Sequence, residues 1–140
     1  MIRKVFYYSA ISLTLIFLSS CTTGGSFIST NVTSVELSES NFNIVAKNVQ
    51  GKSEASYIIG VTYSTGSIAN SLAIARVGGS AKLYDDALKN LWKNFESEYG
   101  NTEDRDLVLT NIRIDTDMLN FILYAQTELY VTADVIEFYE

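Results

Sequence analysis

Residues 80–99, SAKLYDDALKNLWKNFESEY, are the segment from which the architecture follows. Large apolar side chains recur in it every three or four residues, which is the period of an amphipathic helix. Asp85 and Asp86 lie near the expected start, where the helix dipole favours carboxylates. Gly100 and Asn101 supply a stop. The segment predicts a helix over about residues 80–99, with an apolar stripe that must be covered: Tyr84, Ala87, Leu88, Leu91, Trp92 and Phe95.

Two extended segments precede this helix. Residues 32–49 carry apolar side chains at alternate positions, among them Phe42 and Ile44, and residues 53–63 continue the same alternation. Between the two segments, Gln50-Gly51-Lys52 has the composition of a turn. The sequence therefore predicts a β-hairpin here.

The following segment, residues 64–79, is rich in small residues. Ile68, Leu72 and Ala75 recur at helical spacing, which predicts a short helix over about residues 68–77. A phosphate-binding loop is the alternative. It is disfavoured because the segment has neither Gly-Lys-Ser/Thr nor three closely spaced glycines.

Two further strands are expected after the main helix. Val108, Ile112 and Ile114 share one side of the first strand, residues 115–120 form a connecting turn, and residues 123–138 alternate again. The element order ββαββ predicts an α+β fold. It consists of an antiparallel four-stranded sheet with the main helix packed on one face, in a single domain over residues 32–140.

The last strand has a second apolar face. Tyr130, Ile136 and Phe138 lie on the side opposite the expected core. Apolar side chains exposed together usually mark a contact, so these three residues predict either a covering loop or an interaction surface.

The N-terminus has the parts of an export signal. Arg3 and Lys4 precede an apolar run over residues 5–18, and small residues follow before Cys21. The run is shorter than the roughly 20 residues that span a bilayer. Residues 1–20 are therefore predicted to be a signal peptide rather than a membrane-spanning helix.

Leu18-Ser19-Ser20-Cys21 resembles the lipobox of bacterial lipoproteins. The resemblance implies cleavage between Ser20 and Cys21 and lipidation of Cys21, whose several acyl chains would fix the protein to a membrane. The alternative is a chance cysteine near an ordinary cleavage site. Cys21 is the single cysteine of the chain, which excludes an intramolecular disulfide.

Residues 21–31 are rich in Gly, Ser and Thr and are predicted to be a flexible tether. The residue after the cysteine is Thr22 rather than Asp. By resemblance to known sorting rules this implies the outer membrane, with the domain facing the periplasm.

The composition excludes several function classes. The net charge of −6 argues against nucleic acid as a partner, since that contact needs clustered Lys and Arg. The chain has no histidine, and its one thiol is assigned to lipid. Asp115, Asp117 and Asn120 superficially suggest a calcium loop, but Leu119 occupies a ligand position of that motif. No enzyme activity, metal or cofactor is expected.

Four segments carry a resemblance to a known group of proteins. They are Val35-Glu36-Leu37 with Asn41-Phe42, residues 55–60 (ASYIIG), residues 83–91 (LYDDALKNL) and residues 132–138 (TADVIEF). They resemble an uncharacterised family of small Bacteroidota lipoproteins. More distantly, the glycine-rich stretch followed by a helix and strands is similar to the TRL-like lipoproteins. Neither resemblance implies catalytic residues.

Two functions stay open from the sequence. The favoured one is a non-catalytic envelope interaction or structural module that presents a sheet face or an edge strand to another protein or to its own copy. The alternative is a small-ligand-binding lipoprotein with an aromatic pocket. The residues predicted to line that pocket are Tyr57, Tyr63, Tyr84, Trp92 and Tyr124.

Overall fold

A computed structural model of the chain describes residues 26–33, 41–65, 68–121 and 123–139. The signal peptide, its cleavage site and Cys21 lie outside these residues. The elements are β1 (Ser26–Asn31), β2 (Phe42–Thr65), β3 (Ile68–Gly79), α1 (Leu83–Tyr99), β4 (Leu107–Phe121) and β5 (Tyr124–Phe138). They form a five-stranded sheet in the order β1-β4-β5-β2-β3, in which all neighbours are antiparallel.

The predicted antiparallel sheet with one main helix is confirmed, but the prediction of four strands in the order ββαββ is wrong. Three strands precede α1 and two follow it. The additional strand at the N-terminus, β1, occupies residues 26–31 of the predicted tether. It pairs with β4 from Ser26–Met118 to Asn31–Arg113.

The hairpin turn predicted at Gln50-Gly51-Lys52 is absent, because β2 is one strand of 24 residues that passes straight through it. Gly51 has a different role. A Cβ atom at this position would lie 2.0 Å from the carbonyl oxygen of Ala87 and 2.3 Å from the amide nitrogen of Leu91. The glycine therefore lets the helix backbone approach the strand closely, and it does not reverse the chain.

The short helix predicted over residues 68–77 is also wrong, because this segment belongs to β3. It pairs with β2, with Val61 opposite Leu72 and Thr65 opposite Ile68. Cross-strand pairing overrides the weak helical spacing of these small residues.

Residues 115–120, predicted to be a turn, continue β4 to Phe121. Thr116 and Met118 are buried on one face of the strand. They continue the pattern, begun by Ile112 and Ile114, in which every second side chain faces the interior. This pattern is why residues 115–120 remain part of the strand.

The core lies between α1 and the strands β5 and β2, which are neighbours in the middle of the sheet. Ala87, Leu91 and Phe95 are fully buried, which confirms the predicted apolar stripe except at its first residue, Tyr84, which is 39% exposed. They pack against the β5 residues Val131, Ala133 and Val135. The helix begins at Leu83, three residues later than predicted. Ser80 lies before it, where its hydroxyl accepts a hydrogen bond from the Lys82 N–H and donates one to the carboxylate of Asp86.

The outer edge of β2 is divided between two neighbours. From Ala55 onward it pairs with β3. Before Ala55 it is covered by α1, because Asn90 Nδ2 donates to Lys52 O and Asn94 Nδ2 donates to Gln50 O, both at 2.8 Å. The four residues from Asn90 to Asn94 advance about 6 Å along the helix. Two strand residues advance about 7 Å. The spacing of Asn90 and Asn94 along the helix is therefore close to that of the carbonyls of Lys52 and Gln50 along the strand.

The helix α1 has 17 residues. In the ranges that the structure describes, no helix has both the length and the hydropathy needed to cross a membrane.

Candidate interaction surface

The most exposed apolar region is formed by the ends of β2 and β3. Ile58 is the last β2 residue paired with β5, opposite Tyr124, and also faces Ala75 of β3. Beyond this point the two strands continue as a projecting pair. We call residues 59–65 and 68–74 the arm.

The arm carries large apolar side chains in solvent. Leu72 and Ile74 are 74% and 77% exposed, and because they are two residues apart in β3 they share one face. Val61 lies opposite Leu72 and is also exposed. Single exposed apolar residues are ordinary, whereas a contiguous group usually marks a contact. One shallow depression joins them and is lined by Ile59, Gly60, Val61, Leu72, Ala73 and Ile74.

Two contacts hold the arm to the rest of the sheet. The Ile59 N–H donates to Leu123 O at 2.7 Å, where the chain passes from β4 to β5. Ile59 has a φ of 49°, which is rare for a β-branched residue and marks a local irregularity at the start of the arm. Farther out, the side-chain amide of Asn120 hydrogen-bonds to the backbone of Thr62. These contacts fix the direction in which the arm leaves the sheet.

The outer edge of β3 is the second feature of this surface. Among the described residues, β3 has no strand on its outer side. The strand has 12 residues, of which only Arg76 is charged, and the chain contains no proline. Natural edge strands are usually protected by charges, proline, bulges or short length. By these criteria β3 is poorly protected from Ile68 to Ala75, whereas Arg76 and a register shift at Val77 interrupt its last part.

A polar network covers the sheet face opposite α1. Lys52 Nζ lies 2.9 Å from Glu128 Oε1, and the Tyr130 hydroxyl donates to Glu128 Oε2 at 2.6 Å. Gln126 also donates to Glu128, and the Tyr124 hydroxyl donates to Gln126 Oε1.

Electrostatics keep Glu128 ionised. The hydrogen bonds from Tyr130 and Lys52 lower the pKa of its carboxyl. The same contacts raise the pKa of Tyr130 and of Lys52, chiefly through the bond that each makes to Glu128. All three groups are therefore held in the protonation states they already have at neutral pH. The network binds its members to one another and does not supply a proton donor tuned for catalysis.

The three residues predicted to form a surface share the face opposite α1 but differ in exposure. Ile136 is only 2% exposed, in register between Ile44 and Val108. Tyr130 is half-buried in the polar network, and Phe138 is half-buried and packs edge-on against Phe42, with ring centroids 6.4 Å apart. The structure therefore does not bring the three together as one open apolar patch.

The five aromatic residues predicted to line a pocket do not converge. Tyr57 pairs with Ala125 and Tyr124 pairs with Ile58, so the side chains of Tyr57 and Tyr124 point to opposite faces of the sheet. Trp92 packs in the core against Phe95. The other two are exposed, Tyr63 in the arm and Tyr84 on α1.

The three residues considered for a calcium loop do not converge, because Asp115 and Asp117 share the face opposite α1 whereas Asn120 lies on the other face. Asp115 accepts hydrogen bonds from Ser29 and Arg113 on the polar face. Asn120 lies on the opposite face, bonded to Thr62. Within the described parts of the chain, no group of three or more Asp, Glu, His and Cys is placed to hold a metal ion.

Sequence reasoning missed the arm. A usable signal was present, because Leu72 and Ile74 alternate with Ala73 and Ala75, a strand pattern that competes with the helical spacing of the same segment. Nothing local in the sequence indicated that Asn120 would reach Thr62.

A family model matches residues 1–140, the whole chain. The chain belongs to DUF6567, a family of unknown function. The expectation of an uncharacterised family is thus confirmed for this DUF6567 protein. No curated protein and no solved structure matches it.

Proposed function

We propose that this DUF6567 protein is a lipid-anchored bacterial lipoprotein of the cell envelope whose domain is a non-catalytic interaction module. Cys21 carries the lipid after cleavage of the peptide bond between Ser20 and Cys21. The arm is the surface that contacts the partner. The lipobox-like sequence and the resemblance to small Bacteroidota and TRL-like lipoproteins support the anchor. Thr22 after the cysteine supports the outer membrane, with the domain in the periplasm.

The observation that carries the interaction role is the exposure of the arm. Leu72, Ile74 and Val61 lie together in solvent, outside the core clusters between α1 and the sheet. Burying apolar surface is worth about 25 cal/mol per Å². A partner that covers the arm recovers this free energy, whereas the isolated domain does not.

The side chains available support the proposed non-catalytic role. The chain has no histidine, and the carboxylate with the most partners in the polar network, Glu128, is ion-paired and hydrogen-bonded. A general acid or base works best with a pKa near the ambient pH, and the pKa of Glu128 is lowered instead.

The anchor is tested by metabolic labelling with an alkyne fatty acid, followed by separation of membrane and soluble fractions. The parent chain should take up label and sediment with membranes, and Cys21→Ser should lose the label. Thr22→Ser is the matched control and should keep it. Label retained by Cys21→Ser would contradict lipidation at this residue.

The contact surface is tested by placing a photo-crosslinking amino acid at position 72 in cells. Leu72 is largely exposed, so the replacement leaves the core intact. A discrete adduct of defined mass is expected at position 72 and none at Glu98, an exposed position on α1. Equal adducts at both positions would argue against the arm as the contact surface.

A further inference from the structure

We propose that the arm binds a second copy of this chain, with the two β3 strands pairing antiparallel at their outer edges to form one continuous sheet. The inference rests on the proposed function in that it takes the arm as the interaction surface and names its partner. Pairing of sheet edges is a common mode of association, in which backbone hydrogen bonds supply much of the contact.

The protection of the other edges supports an edge contact at β3. The N-terminal part of β2 is covered by side-chain amides of α1, and Thr62 by the amide of Asn120. The opposite edge of the sheet, β1, has only 6 residues, whereas β3 has 12. The longest outer edge of the described sheet is thus that of β3, whose charge and register shift, at Arg76 and Val77, lie outside the arm.

A two-fold axis at Ala73 makes the strand complementary to itself. In this register Leu72 lies opposite the partner's Ile74, and Ile74 lies opposite the partner's Leu72. Because Leu72 and Ile74 share a face, the four side chains form one apolar stripe across the axis, which Val61 of each copy extends. A closed pair of this kind satisfies both edges equally and does not propagate.

Charge is compatible with the same register. Arg76 is the single charged residue of β3. About the Ala73 axis, Arg76 and the partner's Arg76 lie on opposite sides, about 20 Å apart along the strands. Like charges therefore do not face each other, as they would if the axis lay at Arg76.

The size of the surface also fits. Specific interfaces use about 20–30 residues a side. The 12 residues of β3 and the seven of β2 at positions 59–65 together supply 19, close to the lower limit of that range. A lipid bilayer would cover the same apolar side chains but would leave the backbone groups of an open edge without partners, which is costly in hydrocarbon.

Disulfide formation at the axis tests the pairing. Directly opposed residues of antiparallel strands have Cα atoms about 4.5–5.5 Å apart, within the range that a disulfide spans. The full chain with Cys21→Ser contains no cysteine, so Ala73→Cys adds one reporter. With mild oxidation at low protein concentration we expect a covalent dimer from Ala73→Cys. Glu98→Cys in the same background is the control and should remain monomeric.

A second variant measures the strength of the contact. Ile74→Lys places a charge in each copy of the stripe without disturbing the core, because Ile74 is exposed. Light scattering of the Cys21→Ser chain should give a dimer, and Ile74→Lys should weaken it by roughly a hundredfold, since two buried side chains are lost. A monomer in both chains, with cross-linking of Ala73→Cys no greater than that of Glu98→Cys, would overturn the proposal.

Two controls separate this inference from the proposed function. The parent chain should form no disulfide, because lipid blocks the Cys21 sulfur, and a cross-linked parent would argue against the anchor while leaving the Ala73→Cys result valid. Binding of the Cys21→Ser chain to phosphatidylcholine vesicles is compared with that of Ile74→Lys. Vesicle binding that Ile74→Lys abolishes, without cross-linking at Ala73→Cys, would assign the arm to the membrane and overturn the pairing.

Discussion

The side-chain amide of Asn120 makes with Thr62 the two hydrogen bonds that a neighbouring strand would make. Its Oδ1 accepts the Thr62 N–H at 2.7 Å, and its Nδ2 donates to the Thr62 carbonyl at 2.8 Å. Thr62 is 3% exposed, so water cannot readily replace these bonds. One side chain of β4 thus takes the place of a missing strand beside the arm.

Replacing Asn120 tests this role. Asn120→Ala should lower the free energy of unfolding by about 1–3 kcal/mol, because two buried backbone groups lose their partners. Chemical denaturation measures the change, and amide hydrogen exchange at Thr62 should become faster. Asn101→Ala, which removes an amide from an exposed loop, should have little effect on either quantity. Equal effects of the two variants would show that Asn120 does not support the arm.

The close approach of α1 to β2 gives a second prediction. Gly51→Ala should lower the free energy of unfolding by about 3 kcal/mol, because its Cβ meets helix backbone that cannot move aside. Gly78→Ala is the matched control in β3, where the nearest atom to an added Cβ is 3.9 Å away. This change should be close to neutral. Thermal unfolding compares the two, and a tolerated Gly51→Ala would mean that the helix can shift away from the strand.

Asp134 accepts hydrogen bonds from two residues, Asn48 and Asn111, that lie at breaks in the strand register. Its Oδ1 accepts the N–H of Asn48, and its Oδ2 accepts a bond from Asn111 Nδ2. Both asparagines have positive φ, 55° and 52°, and lie at the register shifts of β2 and β4 on either side of β5.

Asp134→Ala should therefore reduce stability by about 1–3 kcal/mol, since both bulges lose a charged acceptor. Denaturant unfolding of Asp134→Ala is compared with that of Asp106→Ala, whose carboxylate lies in an exposed loop. A larger loss for Asp106→Ala would argue against this role of Asp134.

The polar network predicts a pH dependence. The pKa of Glu128 is lowered from its ordinary 4.5, first by the hydrogen bond from Tyr130 and then by Lys52. The folded state therefore binds this proton less readily than the unfolded state. The resulting stability is fully present above about pH 4.5 and is lost as the pH falls through the lower folded value.

Glu128→Gln should be less stable than the parent at pH 7, and the difference should shrink as the pH falls below 4.5. Urea unfolding across this range measures it. Glu54→Gln is the control. Glu54 lies 3.8 Å from Lys52 Nζ and is half-exposed, and an ion pair of this kind contributes little to the free energy of unfolding. A difference for Glu128→Gln that is constant with pH would show that its charge is not responsible.

The sequence predicted the elements that bury one clear face. The stripe of α1 and the alternation of β5 repeat over many residues, so their periods are unambiguous. The turn at Gly51 was predicted wrongly because a glycine needed for helix contact has the same local signature as a glycine in a turn. The contact partners, Ala87 and Leu91, lie far away in the chain.

The candidate surface was less predictable from the sequence because it also depends on contacts between residues that are distant in the chain. Small residues in β3 fit a helix or a strand equally well, and pairing with β2 decides between them. The burial of Ile136 depends on neighbours in other strands, so the alternation of β5 alone could not show that this residue is inaccessible.

The pairing of Asn90 and Asn94 with the carbonyls of β2 fixes the rotation of α1 about its own axis. Inserting one residue between Leu83 and Asn90 would turn both amides by about 100° away from the strand. Glu103 and Asp104, in the loop after Tyr99, carry no such constraint because both are exposed, although Arg105 next to them is paired with Glu137. Length differences among DUF6567 proteins are therefore expected to accumulate after the helix and to be excluded from its first half.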